Sequence, residues 1–376
     1  MKILMQSRYD ILTKRGGDTV QMEQTKKALE NLGVTVDVSC SPNVDLKDHD
    51  LVHLFNLDWI QETYRQAKNS KRQNIPFVLS PIHHRLRDIR IWEDTDLYDF
   101  KRLIYPLFKS YGSREFLKGL YKAFLHPREL HDLLGQLGLG VATSQKWVVQ
   151  NSAHLLPNAY AEAEAIKEDL GISNFKFSVI PNGVSPAFYN ANPATFKNIY
   201  GDFPFVLSVG RIESRKNQLR IIEAVKVLRQ TSPDLRLVLV GSFNPHHFEY
   251  CWRVKKELSD NPWIMHLPQI PYDEMPSIFA ASKSHVLASW KETTGLVNLE
   301  AALAGCGVVA PNKGYCREYL GDEACYCDPA SVASIVEALK LSFDHKPSES
   351  FKQSVLRDFT WEQTAKKTLA VYNELL

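Results

Sequence analysis

Short apolar runs alternate along the chain with segments whose apolar positions recur every three to four residues. Runs at 2–5, 34–38, 51–55, 77–80, 140–143 and 177–180 predict strands in the first half. Runs at 205–209, 235–240, 263–266, 285–288 and 307–310 predict strands in the second. Strand and helix alternating in this way is the sign of parallel sheets covered on both faces by helices, so two α/β units of Rossmann type are expected. Pro181-Asn182-Gly183 and Ala191-Asn192-Pro193 supply turn chemistry between them, which places the boundary near residue 190. The predicted domains are 1–190 and 191–360. A last helix over 361–376 follows, with Trp361, Ala365, Leu369 and Tyr372 at helical intervals. No internal repeat or low-complexity tract interrupts the pattern.

Length agrees with two domains, because 376 residues exceed the range of a single core. Lys and Arg total 45 against 43 Asp and Glu, so there is no global field of the kind a dedicated nucleic-acid binder carries, and no nucleic-acid partner is expected. No stretch approaches the roughly 20 apolar residues that span a bilayer, and Met1 to Met5 runs straight into polar residues as a strand, not a signal peptide. The six cysteines are scattered, which fits reduced thiols in a cytoplasmic enzyme. Cys316, Cys325 and Cys327 cluster, but their Cys-x-Cys spacing is not the usual zinc spacer, and no metal site is expected.

Candidate chemistry concentrates in three places. In Ser289–Ala302, Glu292 should lie on a loop after a buried strand. Thr294, Gly295 and Leu296 should open a helix, with Glu300 inside it. Free N–H groups at that helix start form an anion site, and Glu300 lies roughly 7 Å further along the axis, the separation of a diphosphate from its ribose. Strand 205–209 ends in Gly210 and Arg211 and leads through Lys216 into a helix. Gly210 permits a tight turn at the carboxyl end of the strand, where open α/β sheets bind ligands, and Arg211 and Lys216 can converge on phosphate oxygens. In the first half, Gly16 and Gly17 precede a helix, and His83 and His84 follow strand 77–80. The segment 101–128 carries Lys101, Arg102, Lys109, Arg114, Lys118, Lys122 and Arg128 beside an aromatic stripe. Packing of that stripe on the first domain is slightly preferred, with contact to an anionic membrane surface as the alternative.

Val209-Gly210-Arg211 with Lys216, then Glu292 with Glu300, resembles the retaining GT-B glycosyltransferases of family 4, the glycosyl transferases group 1. Ile180-Pro181-Asn182-Gly183-Val184, Gly16-Gly17 and Phe359-Thr360-Trp361-Glu362 extend the resemblance over the whole chain. It implies a GT-B fold, two Rossmann-like domains facing across a cleft, with the C-terminal helix crossing back to the N-terminal domain. It further implies retention of anomeric configuration and transfer from a nucleotide-diphosphate sugar without a cofactor or divalent metal. Arg211 and Lys216 would neutralise the leaving diphosphate, Glu292 would orient the sugar, and Glu300 would hold the ribose. His83 or His84 would touch the donor sugar, with His83 placed among the catalytic residues. Gly16, Gly17, Gly210, Thr294, Gly295 and Leu296 would line the donor, with Ser242 and Leu267 near the base. Thr293-Thr294 departs from the Gly or Pro and aromatic residue that often follow the first glutamate. The expected acceptor is a glycan or a lipid-linked saccharide in polysaccharide or lipopolysaccharide synthesis. The enzyme would be cytoplasmic, and peripheral on the inner membrane face if the 101–128 stripe meets lipid. A nucleotide-sugar epimerase of GT-B type and a non-catalytic two-lobed binding protein are the competing readings.

Overall fold

The structure is a computed structural model that describes residues 1–11, 13, 15–98, 101–108, 112–114, 117 and 140–376. The first sheet contains β1 (Lys2–Gln6), β2 (Thr35–Ser39), β3 (Leu51–Phe55), β4 (Phe77–Ser80) and β5 (His154–Leu155), in the order β2-β1-β3-β4-β5. The second contains β6 (Phe205–Val209), β7 (Arg236–Val240), β8 (Ile264–Leu267), β9 (Ser284–Val286), β10 (Gly307–Pro311) and β11 (Cys325–Cys327), in the order β11-β10-β9-β6-β7-β8. Every pairing in both sheets is parallel. Central strands therefore have both faces covered, which is why β3 and β4 are buried along their whole length and read as mostly apolar runs, with His53 and Ser80 as the polar exceptions.

Two units emerge. The first holds Met1–Leu86, Tyr105–Gly183 and Trp361–Leu376, and the second holds Arg87–Ile104 and Val184–Thr360. The division falls earlier than the expected 190 because Val184 already pairs with Thr360, its N–H donating to Phe359 O at 2.8 Å. Phe188 then packs on Phe279 with ring centroids 5.7 Å apart. Residues 87–104 also go to the second unit, although they lie between β4 and β5 in sequence.

Two expected strands are corrected. Residues 140–143 open a helix, with Gly140 as its N-cap and Val141–Asn151 as its body. Ser144, Gln145, Val148 and Val149 face inward at helical spacing. The strand on that edge is the two-residue β5. Residues 177–180 form no strand: Phe177 makes a single bridge to Leu155 before Pro181 ends the pairing. Most of the basic aromatic stripe, residues 109–111, 115, 116 and 118–128, lies outside the described residues. Among the described residues no helix is long and apolar enough to cross a membrane.

The C-terminal helix Trp361–Leu375 belongs to the first unit and packs on the helix Gly17–Asn31, with Ala365, Val371 and Tyr372 in the same apolar cluster as Met22 and Leu29. Its deepest polar contact is Tyr372, whose hydroxyl meets His53 Nδ1 at 2.6 Å, while His53 Nε2 meets Ser80 Oγ at 2.8 Å. Burial pushes the His53 pKa down to about 3, so the ring is neutral and donates through one nitrogen while accepting at the other. Tyr372→Phe leaves that buried nitrogen without its partner. The expected loss is about 1–3 kcal/mol, read as a lower urea midpoint for the unit that holds β1–β5.

Candidate active site

The second unit assembles its polar groups at the carboxyl ends of β6 and β9. After β6 the chain turns through Gly210, whose N–H donates to Val240 O at 2.8 Å. A Cβ on Gly241 would come within 2.2 Å of Gly210 O, so these two turns close on each other only because Gly241 has no side chain. Arg211 sits half-buried on this turn, its carbonyl accepting from Gln218 Nε2 at 2.9 Å. A short 3-10 turn, Ser214–Lys216, follows, and Asn217 takes the left-handed conformation at the start of the helix Gln218–Arg229. Asn217 Nδ2 donates to Ala288 O at 3.1 Å and Pro329 O at 2.8 Å, tying this loop to the one that follows β9.

That second loop delivers Glu292, which is 8% exposed. Its Oε1 accepts from Lys216 Nζ and lies 3.7 Å from Arg215 Nη1. Arg215 also pairs with Glu213 at 2.8 Å, and Glu213 Oε2 accepts from Asn244 Nδ2 at 2.7 Å. Two half-buried cations and two buried carboxylates thus share one polar cluster. Burial by itself would raise the Glu292 pKa, but Lys216 and Arg215 outweigh it and hold the carboxyl ionised, below its ordinary range. The same contest, burial against Arg215 and the Asn244 amide, brings Glu213 down to about 2.

The next element is the helix Leu296–Leu303, which starts from Gly295 at φ 64°. Thr294 is buried, Leu296 is half-buried, and the first N–H groups of the helix have no acceptor within it. One turn on, Glu300 accepts from Tyr272 Oη at 3.1 Å, and burial raises its pKa to about 7 despite that bond. Ser242 is exposed after β7, and Leu267 ends β8 with its carbonyl accepting from Gly241 N at 2.9 Å. The structure therefore brings Lys216 and Glu292 into contact. Sequence reasoning gave Arg215 no role, yet it reaches the same carboxylate, and Glu213, Asn244 and Trp290 carried no motif to reveal them.

In the first unit, Gly16 caps the helix Gly17–Asn31 as expected, its N–H donating to Thr19 Oγ1 at 3.0 Å. Beside it the buried Arg8 guanidinium binds Asp18 at 2.7 Å and also pairs with Asp10. His83 corrects an expectation. It is fully buried, with Nδ1 on Asp58 at 2.9 Å and Nε2 on Asp169 at 2.9 Å, so neither ring nitrogen is available to a sugar. Burial lowers its pKa, but the two carboxylates win and raise it to about 9. His84 is the more accessible ring of the pair, its Nδ1 on the other oxygen of Asp58 at 2.8 Å. The preceding Ile82 is a β-branched residue held at φ 47°, a strained conformation of the kind that clusters at functional sites.

Comparison with known proteins places these features. Residues 194–353 match the model of the glycosyl transferases group 1. The matched stretch lies within the second unit, Val184–Thr360. This stretch includes Arg211, Lys216, Glu292 and Glu300, whereas Gly16, Gly17 and His83 lie outside it. The chain is 26% identical over 246 residues to a D-inositol 3-phosphate glycosyltransferase from Paenarthrobacter aurescens, covering 60% of this chain and 59% of that protein. It is 30% identical over 209 residues to a lipopolysaccharide 1,2-N-acetylglucosaminetransferase from Salmonella typhimurium, covering 50% and 54%. These matches span less than two thirds of the relatives' own lengths. Among solved structures, Anabaena Alr3699/HepE in complex with UDP and glucose superposes over 100% of both chains with a TM-score of 0.70 at 16% identity. The fold is GT-B.

Within the matched stretch, Glu292 contributes to stability in its ionised form. Its folded pKa is depressed, so that contribution is present above the ordinary glutamate range and is lost as pH falls through the folded value. Lys216→Met leaves the buried carboxylate with Arg215 as its nearer remaining cation. It should cost about 3–5 kcal/mol near neutral pH, and less near pH ~4, where the carboxyl can take a proton. Urea denaturation of both proteins at the two pH values checks this, and an equal loss at both would overturn the assignment.

Proposed function

We propose that this protein transfers a glycosyl unit, with retention of configuration, from a nucleotide-diphosphate sugar to a glycan or lipid-linked acceptor in cell-surface polysaccharide or lipopolysaccharide synthesis. The observation that carries the reading is the buried Lys216–Glu292 pair beside a helix start whose second turn bears Glu300. The relatives named as glycosyltransferases, one of them acting on lipopolysaccharide, support it. So does the likeness to a structure that holds UDP and glucose.

In this reading the glycosidic C–O bond to the diphosphate breaks while the acceptor hydroxyl bonds to the anomeric carbon on the same face. The acceptor proton leaves with the diphosphate oxygen. Lys216, Arg211 and the N–H groups at Gly295 and Leu296 take the growing negative charge, with no metal called upon. Glu292, kept ionised, orients the sugar and faces the positive charge that develops on it. Glu300 accepts from ribose hydroxyls. The acceptor binds the first unit, where His84 replaces His83 as the histidine offered to the sugar.

Incubation with UDP-, GDP- and ADP-sugars should release nucleotide diphosphate for one base, and Lys216→Ala should abolish most of that turnover. Wild-type turnover in the variant, or isomerisation of the donor without release of diphosphate, would overturn the reading. Nucleotide affinity should also rise as pH passes upward through about 7, because Glu300 must lose its proton to accept from ribose. Glu300→Gln should lose this component. Calorimetric titration of both proteins at two pH values isolates it, because the phosphate ionisation is common to both.

A further inference from the structure

The helix Leu86–Thr95 places Asp88 and Trp92 four residues apart on one face, and Asp96 continues that spacing just past its end. All three reach the Glu292 loop or its immediate support. Asp88 Oδ2 accepts from Gly314 N at 3.0 Å, and Gly314 is packed so tightly on Glu292 that a Cβ there would lie 2.0 Å from Glu292 O. Trp92 lies under Lys291, the ammonium 5.6 Å from the ring centroid. Asp96, 5% exposed, accepts from Trp290 Nε1 at 3.0 Å. The other oxygen of Asp96 pairs with Arg220 at 2.9 Å. Arg220 stacks on Trp290 at 5.3 Å and donates to the side-chain oxygen of Asn217, the neighbour of Lys216, at 3.1 Å. One carboxylate therefore touches, through Trp290 and Arg220, both loops that supply the buried ion pair.

We infer that residues 88–96 form a strap that sets the register of Glu292 against Lys216, with Asp96 as a positioning residue for the donor site. This rests on the reading of that pair as donor-site groups. Asp96 touches no reacting atom. It acts by fixing the indole two residues before Glu292 and the guanidinium four residues after Lys216. An exposed helix linking other parts of a chain needs none of these buried, directed bonds, and a carboxylate taken out of water with three donors around it is costly unless the geometry is held.

The test is Asp96→Ala, with Asp96→Asn as the conservative variant that can still accept from Trp290 Nε1. Turnover of the donor by Asp96→Ala should fall roughly tenfold or more, with nucleotide diphosphate Kd within about threefold of wild type, since misplacement of a reacting group acts on kcat. Asp96→Asn should recover part of the loss. Backbone hydrogen exchange should rise in 288–295 and stay unchanged in β6 and β7. Wild-type kcat, or unchanged exchange in 288–295, overturns the strap. If the wild-type protein turns over no nucleotide sugar, the donor reading fails while exchange still decides the strap. Should Asp96→Ala not fold, Trp290→Phe, which removes the indole N–H together with part of the ring under Arg220, must raise exchange in the same loop or the inference is lost.

Discussion

The second unit is organised around one electrostatic constraint: the Lys216 ammonium and the Glu292 carboxylate are both withdrawn from water and must meet. Two such charges lose hydration worth several kcal/mol each, and their attraction offsets this only at close range and in fixed geometry. Every unusual local feature nearby serves that end. Asn217 adopts a left-handed conformation and spends its amide on carbonyls from two other segments. Trp290 N donates to Arg215 O at 3.0 Å, binding the loops backbone to backbone. Gly314, at φ 68°, lets the chain lie directly against Glu292. A loop free to breathe would let water in and leave the pair worth little.

Much of this was legible in the sequence because the signals were local. Parallel strands covered on both faces read as continuous apolar runs, and the runs of β3, β4, β6 and β7 were plain. The run at 140–143 misled because a short apolar stretch has no period, and only its continuation to Val148 and Val149 reveals a helix. At the site, Gly210, Lys216, Glu292 and Glu300 stand out by order and spacing. Arg215 and Asp96 do not, since their significance lies in distant partners such as the Lys291 carbonyl, 76 residues from Arg215, and Trp290, 194 residues from Asp96. A buried bond between distant segments leaves no trace in either segment alone. His83 shows the same limit from the other side. Its position after a strand marked it as a ligand contact, and nothing nearby in sequence announced Asp169, which occupies its second nitrogen.

The carboxyl edge of the first sheet is unusual for its density of buried ionisable groups. Arg8, Asp10, His83 and Glu162 are all buried there, with Asp58 and Asp169 close behind. Glu162 accepts from the backbone N–H of His83 at 2.7 Å and of Asn158 at 2.6 Å, yet burial still raises its pKa to about 7. Such clusters are a poor way to gain stability, because apolar side chains of equal volume would cost less to bury. They are common where groups must be held at fixed angles to a ligand. The carboxyl ends of parallel strands are also where the fold leaves backbone groups open to one.

Glu292 and Glu300 illustrate how the same side chain is given two characters by its surroundings. They are eight residues apart, Glu292 buried and Glu300 half-buried, and desolvation pushes both toward the neutral acid. Glu292 has two cations within reach and stays ionised. Among the described residues Glu300 has a phenol, a neutral donor that stabilises the carboxylate weakly, and its pKa settles near neutrality. A group held ionised below its ordinary range would suit a place where positive charge must be met near neutral pH. A group poised near neutrality suits one that gains and releases hydroxyl donors. The difference in charge between the two glutamates therefore follows from Lys216 on the facing loop and Tyr272 beside the helix.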